Sequence, residues 1–294
     1  MTNSANTVPT TKITIAGVEL TTRHVSCGLH TEGKTALAPV LNKTMGLVVY
    51  LTNACNATCA FCSNTDAKAF RFDFEAFKVM WDELISKADV SQVAFTGGEP
   101  TLALKDFYKC ADYIKATRPT PLVVMTNGVK LAELDHELLT QISVSRHHWN
   151  HADNERILGF KLKEDYLSVP AHNKIKIACN VMKGEVDSGE KMLKVLDLAA
   201  TYDIPTVGFV GLMQINDFTA INTIQIPEMT GKGLYNFEKW KLGNACECAR
   251  SLYSHPSGKL IKYYYRHNHE YDYNHGGLVV FKYNKVQPWF VVKK

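Results

Sequence analysis

The chain has 294 residues, 46% of them hydrophobic, and a formal net charge of +4 at pH 7. That is apolar enough for a real core, so disorder is excluded as the ground state; the length allows one large α/β domain with an extension, or two small domains. The mild charge permits an anionic substrate without demanding nucleic acid, and no apolar run approaches the roughly 18 residues of a membrane helix.

Met1 to Thr11 is polar and lacks an apolar signal core, so it reads as a disordered lead-in to a cytosolic protein. The eight cysteines are therefore not read as a disulfide framework. Lys12 to Leu20 alternates as a strand with a Gly turn, continuing through Thr21 to Cys27 as a hairpin. Cys27 stands alone and is read as a semi-buried thiol. Residues 28 to 44 hold Gly, Pro and Thr and look like a loop.

From Met45 the pattern becomes regular. A strand is expected over Gly46 to Thr52, and a helix over Asp73 to Lys87, where Phe74, Phe77, Met80, Trp81, Leu84 and Ile85 recur at helical spacing behind a capping Asp73. Strands follow over Gln92 to Thr96, Leu122 to Thr126, Gln141 to Ser145, Lys174 to Val181 and Thr206 to Leu212. Helices are expected between them, over Leu104 to Ala116, Leu131 to Thr140, Asp153 to Tyr166 and Ser188 to Tyr202. Cys110 falls on the apolar face of its helix with Phe107, Ala111 and Ile114. Strand and helix in alternation predict a parallel sheet covered by helices, an open twisted sheet or a curved barrel wall.

Two motifs sit at strand ends in this pattern. Cys55-Asn-Ala-Thr-Cys59-Ala-Phe-Cys62 follows the first strand, with three cysteines spaced CxxxCxxC. A structural zinc site is normally closed by four protein ligands; three cysteines on a [4Fe–4S] cluster leave one iron open. The next Cys is Cys110, and no His lies between. Thr96-Gly97-Gly98-Glu99-Pro100 ends the second strand. Its Gly pair lets backbone approach a ligand closely, Glu99 supplies a carboxylate for an ammonium, and Pro100 sets the turn. A zinc loop beside an ordinary turn is the competing reading.

These two motifs together resemble the signature of the radical SAM superfamily. The resemblance covers about Met45 to Met213 and implies an α/β fold, a partial (βα)6 TIM-like barrel, with ligands at the C-terminal strand ends. It implies a [4Fe–4S] cluster on Cys55, Cys59 and Cys62 whose open iron binds S-adenosylmethionine. It further implies an external electron, from a donor such as flavodoxin or ferredoxin, that cleaves the cofactor to a 5′-deoxyadenosyl radical able to take hydrogen from substrate. By the same resemblance Gly97, Gly98 and Glu99 approach the methionine amino group and Phe61 helps hold the adenine. Thr126 and Asn127 of Thr-Asn-Gly supply cofactor contacts, and Asn180 meets the adenosine part. Alternation on Gln141 to His147 turns Ile142 and Val144 outward and Ser143, Ser145 and His147 inward. The two serines then meet ribose or carboxylate, Arg146 can pair with the carboxylate, and His147 can touch substrate. His148 is expected in a partly exposed loop. With Asn180 inward, Lys176 and Ala178 follow it, while Ile177 and Cys179 turn outward.

Three regions are expected: an N-terminal lead-in and hairpin over 1–44, the barrel over 45–213, and an extension over 214–294. After Met213 the rhythm stops, Gln214 to Gly233 reads as irregular, and Asn236 to Lys241 as a short helix. Cys246, Cys248 and Arg250, before Ser257-Gly258-Lys259-Leu260, weakly resemble the tail of the molybdenum-cofactor GTP cyclase and of SPASM or twitch enzymes, where flanking cysteines hold a second cluster. Here no Cys follows Gly258, so a hairpin closing the barrel without metal is expected. Tyr263 to Tyr273, dense in Tyr and His, reads as a strand packed at the barrel mouth, and Val279 to Val292 as one or two final strands. The substrate expected is a small molecule, with nucleotides among the candidates; a peptide is the alternative, and a non-catalytic zinc or Fe–S module the reading from another class. No membrane partner or nucleic-acid site is indicated.

Overall fold

The computed structural model describes residues 12–21, 44–64, 68–236, 250–266 and 278–288. Cys27, Cys246, Cys248 and residues 267–273 lie outside the described residues. A first hairpin pairs β1 (Lys12–Ile15) with β2 (Val18–Thr21) through a turn at Ala16 and Gly17, both at positive φ. It stands outside the main sheet.

Strand β3 (Thr44–Thr52) opens that sheet and leads, after the cysteine loop, to α1 (Phe74–Lys87). Asp73 caps this helix, its carboxylate accepting the Ala76 N–H at 3.1 Å, and Phe77, Met80, Trp81 and Leu84 are buried. The spacing i, i+3, i+4, i+7 gives one apolar stripe that must face the sheet. Then come β4 (Asp89–Gly97) and α2 (Leu104–Thr117), whose buried Phe107, Cys110, Ala111 and Ile114 repeat the pattern. The alternation continues through β5 (Leu122–Thr126), β6 (Gln141–Ser145), α3 (His151–Leu158), β7 (Ile175–Val181), α4 (Gly189–Thr201), β8 (Thr206–Gly211) and α5 (Asp217–Asn222). The end of the described chain adds β9 (Leu234–Asn236), β10 (Arg250–Ser254), β11 (Leu260–Arg266), β12 (Leu278–Lys282) and β13 (Lys285–Pro288).

The strand order is β13-β12-β3-β4-β5-β6-β7-β8-β11-β10-β9. All pairings from β12 through β11 are parallel. The six expected parallel strands are present in consecutive order, in a partial TIM-like barrel wall. The tail does more than close one side: β11 extends the wall beside β8, and β12 extends it beside β3.

Four local expectations are corrected. Leu131 to Thr140 is not a helix but two short 3-10 turns, Leu131–Glu133 and His136–Leu138. The Tyr108 hydroxyl donates to the Glu133 carbonyl and accepts the Asp135 N–H, taking backbone groups a continuous helix would use itself. The helix expected to reach Tyr166 stops at Leu158, because Gly159 adopts a left-handed cap at φ +75°. The irregular stretch after Met213 contains α5, nucleated by a capping box between Asn216 and Thr219. Asn236, expected to start a helix, ends β9.

The sheet has two unlike faces. On the helix-covered side, Leu47, Val49, Phe95, Val124, Ile142, Val144, Ile177, Cys179 and Phe209 join the main core. On the inner side only Val48, Ala94, Val123 and Val280 form a small apolar cluster, and the remaining inward positions are mostly polar. Ile177 and Cys179 are fully buried while Lys176, Ala178 and Asn180 are half-buried, in the alternation expected for β7. Among the described residues no helix is long and apolar enough to cross a membrane.

Phe281 on β12 is buried and meets the rings of Phe72 and Phe77 edge-on, at 6.0 and 5.9 Å between centroids. Phe281→Ala should cost about 3–5 kcal/mol of unfolding free energy, measured by urea denaturation. A loss under about 1 kcal/mol would mean that the last parallel strand is peripheral to the body.

Candidate active site

After Thr52 the chain wraps over the C-terminal end of β3, carrying Cys55, Cys59 and Cys62. All three are free thiols, Cys55 and Cys62 exposed and Cys59 half-buried. The Ala57 N–H donates to Cys55 Sγ and the Asn64 N–H to Cys62 Sγ, each at 3.4 Å. The donor at Cys55 favours its thiolate. Burial, and then the nearby Cys62 and Cys55, push the Cys59 thiol up to about 12. Burial also raises Cys55, with Glu99 and Cys62 adding to it. Thiols that oppose one another's ionisation lie close together, and a cationic centre reverses that balance by taking them as thiolates.

Among the described residues no three His, Cys, Asp or Glu side chains group around a single metal ion. An iron–sulfur cluster asks for less convergence, since each cysteine takes its own iron. Three soft donors on one loop, two of them hydrogen-bonded by backbone amides, fit a cluster held by three protein ligands.

The Gly97-Gly98-Glu99 turn fixes where this loop stands. The Gly98 N–H donates to the Thr52 carbonyl at 2.7 Å and the Glu99 N–H to the Ala54 carbonyl at 2.8 Å. A Cβ on Gly97 would stand under 3.0 Å from the Thr52 oxygen, and one on Gly98 equally close to the Asn53 and Ala54 oxygens. Gly97 also has φ +147°. The close approach that the Gly pair permits is thus to the cysteine loop's own backbone.

Glu99 is buried to 1% exposure, beside Cys55. Its Oε1 accepts the Thr101 N–H (3.0 Å), the Thr101 hydroxyl (2.7 Å) and the Thr126 hydroxyl (2.7 Å). Its Oε2 accepts the Asn127 N–H at 2.7 Å. Four donors offset the desolvation of the carboxylate. Thr126 thereby serves Glu99, while the Asn127 side chain crosses to the cysteine loop and donates to Asn56 Oδ1 at 2.9 Å.

On β6 and beyond, Ser143 and Ser145 lie on the inner side, opposite in parity to the core residues Ile142 and Val144. Arg146, expected at a cofactor carboxylate, is placed otherwise. It is buried, Nε donates to the His148 carbonyl at 2.8 Å and Nη2 to the Trp149 carbonyl at 3.0 Å, and the guanidinium lies 5.7 Å from the Tyr166 ring centre. It shares the outward parity of Ile142 and Val144, so it shapes the loop after β6. His148 is buried and stacked on Trp149 rather than partly exposed.

His147 is buried, and its ring meets Phe61 edge-on at 4.8 Å between centroids. Its Nδ1 accepts the Asn180 N–H at 3.1 Å, which places the proton of the neutral ring on Nε2. Burial, helped by Arg146, lowers its pKa to about 3. His147 therefore joins Phe61 on the cysteine loop to Asn180 on β7.

Other supports of the loop were not foreseen. Asn216 donates from Nδ2 to the Ala60 carbonyl at 3.0 Å. The Thr58 N–H donates to the Leu158 carbonyl at 2.9 Å, beside Gly159, where a Cβ would collide with the Thr58 side chain. From the C-terminal hairpin, Lys282 Nζ donates to Asn64 Oδ1 and Asn53 Nδ2 donates to the Tyr283 hydroxyl, both at 2.8 Å. Only the Asn216 to Thr219 spacing carries a readable local signal, as a helix cap; the rest are long-range.

A family model described as a 4Fe-4S single cluster domain matches residues 44–160, from β3 through α3. An uncharacterized protein of Methanocaldococcus jannaschii is 28% identical over 106 residues, 34% of this chain and 37% of that one. The structure of Streptococcus suis SuiB bound to S-adenosylmethionine matches with a TM-score of 0.50 at 16% identity, over 62% of this chain and 44% of SuiB. SuiB bound to precursor peptide SuiA gives a TM-score of 0.50 at 16% identity, over 62% and 43%. At that identity the likeness is one of fold. The chain spans less than half the length of each of these relatives.

Two outcomes follow from this geometry. Gly98→Ala should destabilise the fold by about 1–3 kcal/mol through the collision of its Cβ with the Asn53 and Ala54 oxygens and speed hydrogen exchange at Gly98 and Glu99; unchanged exchange there would mean that the turn does not hold the loop. His147 has a folded pKa below its unfolded value near 6.5. The unfolded chain therefore binds the proton first as pH falls. Stability is complete above that value and is lost toward pH 3, by at most about 1.4 kcal/mol per unit. Denaturation midpoints at pH 6.5, 5.5 and 4.5 should fall less steeply in His147→Gln than in the parent chain; equal slopes would refute the assignment.

Proposed function

We infer that this chain belongs to the radical SAM superfamily and is an enzyme that binds a [4Fe–4S] cluster and S-adenosylmethionine, a reading supported by the 4Fe-4S domain match over residues 44–160 and the fold shared with SuiB. Cys55, Cys59 and Cys62 would hold the cluster. The observation that carries this reading is the three-thiol loop at the end of β3, clamped by the Gly97-Gly98-Glu99 turn. Held there, cluster and S-adenosylmethionine would together supply one-electron reductive cleavage of the sulfonium S–C5′ bond, giving methionine and a 5′-deoxyadenosyl radical able to take hydrogen from substrate, the electron being drawn from a donor such as flavodoxin or ferredoxin.

The chain's own residues position and seclude. Glu99 holds the backbone of Asn127 against the loop, and Asn127 holds Asn56. His147 braces Phe61, the residue next to Cys62, and orients the backbone of Asn180. Ser145 and Asn180 offer polar groups on the inner face that the cofactor would cross. The apolar cluster of Val48, Ala94, Val123 and Val280 closes part of that inner face to water.

The substrate we infer is a small molecule, with nucleotides the first to test. A peptide is the second reading, favoured by the fold shared with SuiB, whose structure holds a precursor peptide.

Anaerobic reconstitution should give about four irons per chain, and S-adenosylmethionine with a reductant should then yield 5′-deoxyadenosine. Cys59→Ala should lose most of the iron and all of that product. Full turnover in the variant, or stoichiometric zinc without iron in the parent, would remove the assignment. A rise in 5′-deoxyadenosine with nucleotides but not with peptides, or the reverse, decides between the substrate classes.

A further inference from the structure

The inner face of the sheet has a charge pattern that the cofactor reading leaves unused. The strand registers place inward residues in rows. Met125, Ser143, Lys176, Thr206 and Lys262 share one row; Ser145, Ala178, Gly208 and Tyr264 share the next; Asn180, Val210 and Arg266 share the third. Three cations stand in these rows and no carboxylate does.

Lys176 is half-buried and, among the described residues, forms no ion pair; its ammonium lies 5.9 Å from the ring centre of Tyr264. The hydroxyl-bearing residues Ser143 and Thr206 flank it in register on either side. Tyr264 packs against Gly208, where a Cβ would meet its Cζ and hydroxyl oxygen at 2.5 Å, so the glycine makes room for the phenol. Lys176 precedes Asn180 by four residues on β7, about 13 Å deeper along the strand. That separates it from the mouth where the cysteine loop stands.

A half-buried ammonium without a counter-ion is costly unless something anionic joins it. A flanking hydroxyl pair and a π face complete a subsite for an oxyanion on a planar or sugar-like body. We propose that Lys176, with Ser143, Thr206 and Tyr264, binds the acid group of an anionic substrate inside the barrel, a carboxylate or a phosphate. The proposal rests on the reading of this chain as an enzyme whose substrate enters the barrel, and it deepens that reading by naming the substrate's charge.

The test is isothermal titration of the full chain, reconstituted with iron and without S-adenosylmethionine. The probes are inorganic pyrophosphate and succinate at low salt. Binding of either one supports the proposal, pyrophosphate alone marking a phosphate subsite and succinate alone a carboxylate subsite. Lys176→Gln should weaken that binding about tenfold, Lys176→Arg should largely restore it, and the exposed-site control Lys163→Gln should leave it unchanged. Lys176→Met serves where Lys176→Gln fails to fold. No binding of either anion, or equal binding by parent and Lys176→Gln, overturns the proposal. Iron content on the same samples separates the two readings. Iron without anion binding ends only this inference. Lys176-dependent anion binding without iron leaves the subsite standing and ends the cluster reading.

Discussion

Everything at the mouth of this barrel depends on one backbone contact, the pairing of Gly98 and Glu99 with Thr52 and Ala54. It carries the β3–β4 pairing past the ends of the regular strands. A loop with three cysteines would otherwise pay for its order with backbone entropy on every residue. Tied at its root, it needs only a few further anchors, and Asn216, Leu158, Asn127 and Lys282 supply them from four other parts of the chain. Side chains at 97 and 98 would force the two backbones apart, and the thiols with them.

The same economy governs charge. Glu99 accepts four hydrogen bonds, so its carboxylate is a fixed strut between the turn and the end of β5. Arg146 is likewise spent on carbonyls, giving the chain after β6 its course. Deeper in the barrel the balance differs. Lys176 has a ring and hydroxyl-bearing neighbours beside it but, among the described residues, no ion-pair partner. A protein that satisfies its buried charges at the mouth and leaves one unmatched below has room there for a ligand's charge.

The C-terminal residues tie these levels together. β11 brings Tyr264 to the inner wall beside Gly208, and β12 seals the opposite edge beside β3. The β12–β13 turn, with Tyr283 and Asn284 both left-handed, is the tight turn that matches strand twist. It grips the segment after the cysteines: Asn284 accepts the Asp73 N–H and donates to the Arg71 carbonyl, while Tyr283 meets Phe70 edge-on. Residues far apart in the chain thus set the entry to α1.

Local order was legible where a pattern is its own cause. Apolar periodicity marked α1, α2, α4 and the six central strands, and alternation on β6 and β7 told inner from outer face. CxxxCxxC and Gly-Gly-Glu-Pro, each at a strand end, marked the mouth. Patterns misled where a distant group competed for the backbone, as Tyr108 does near Glu133, or where one glycine ended a helix, as Gly159 does. By itself, the sequence determined the strand–helix order, the cysteine loop and the family chemistry it resembles, because these rest on spacing along the chain. Only the tertiary structure decided that the Gly pair receives backbone, that Arg146 turns to carbonyls, and that Lys176 meets Tyr264. The first and last depend on parallel register between strands up to about ninety residues apart, which no local spacing encodes, and the second on the course of the loop after β6, whose His148 and Trp149 carbonyls take the guanidinium.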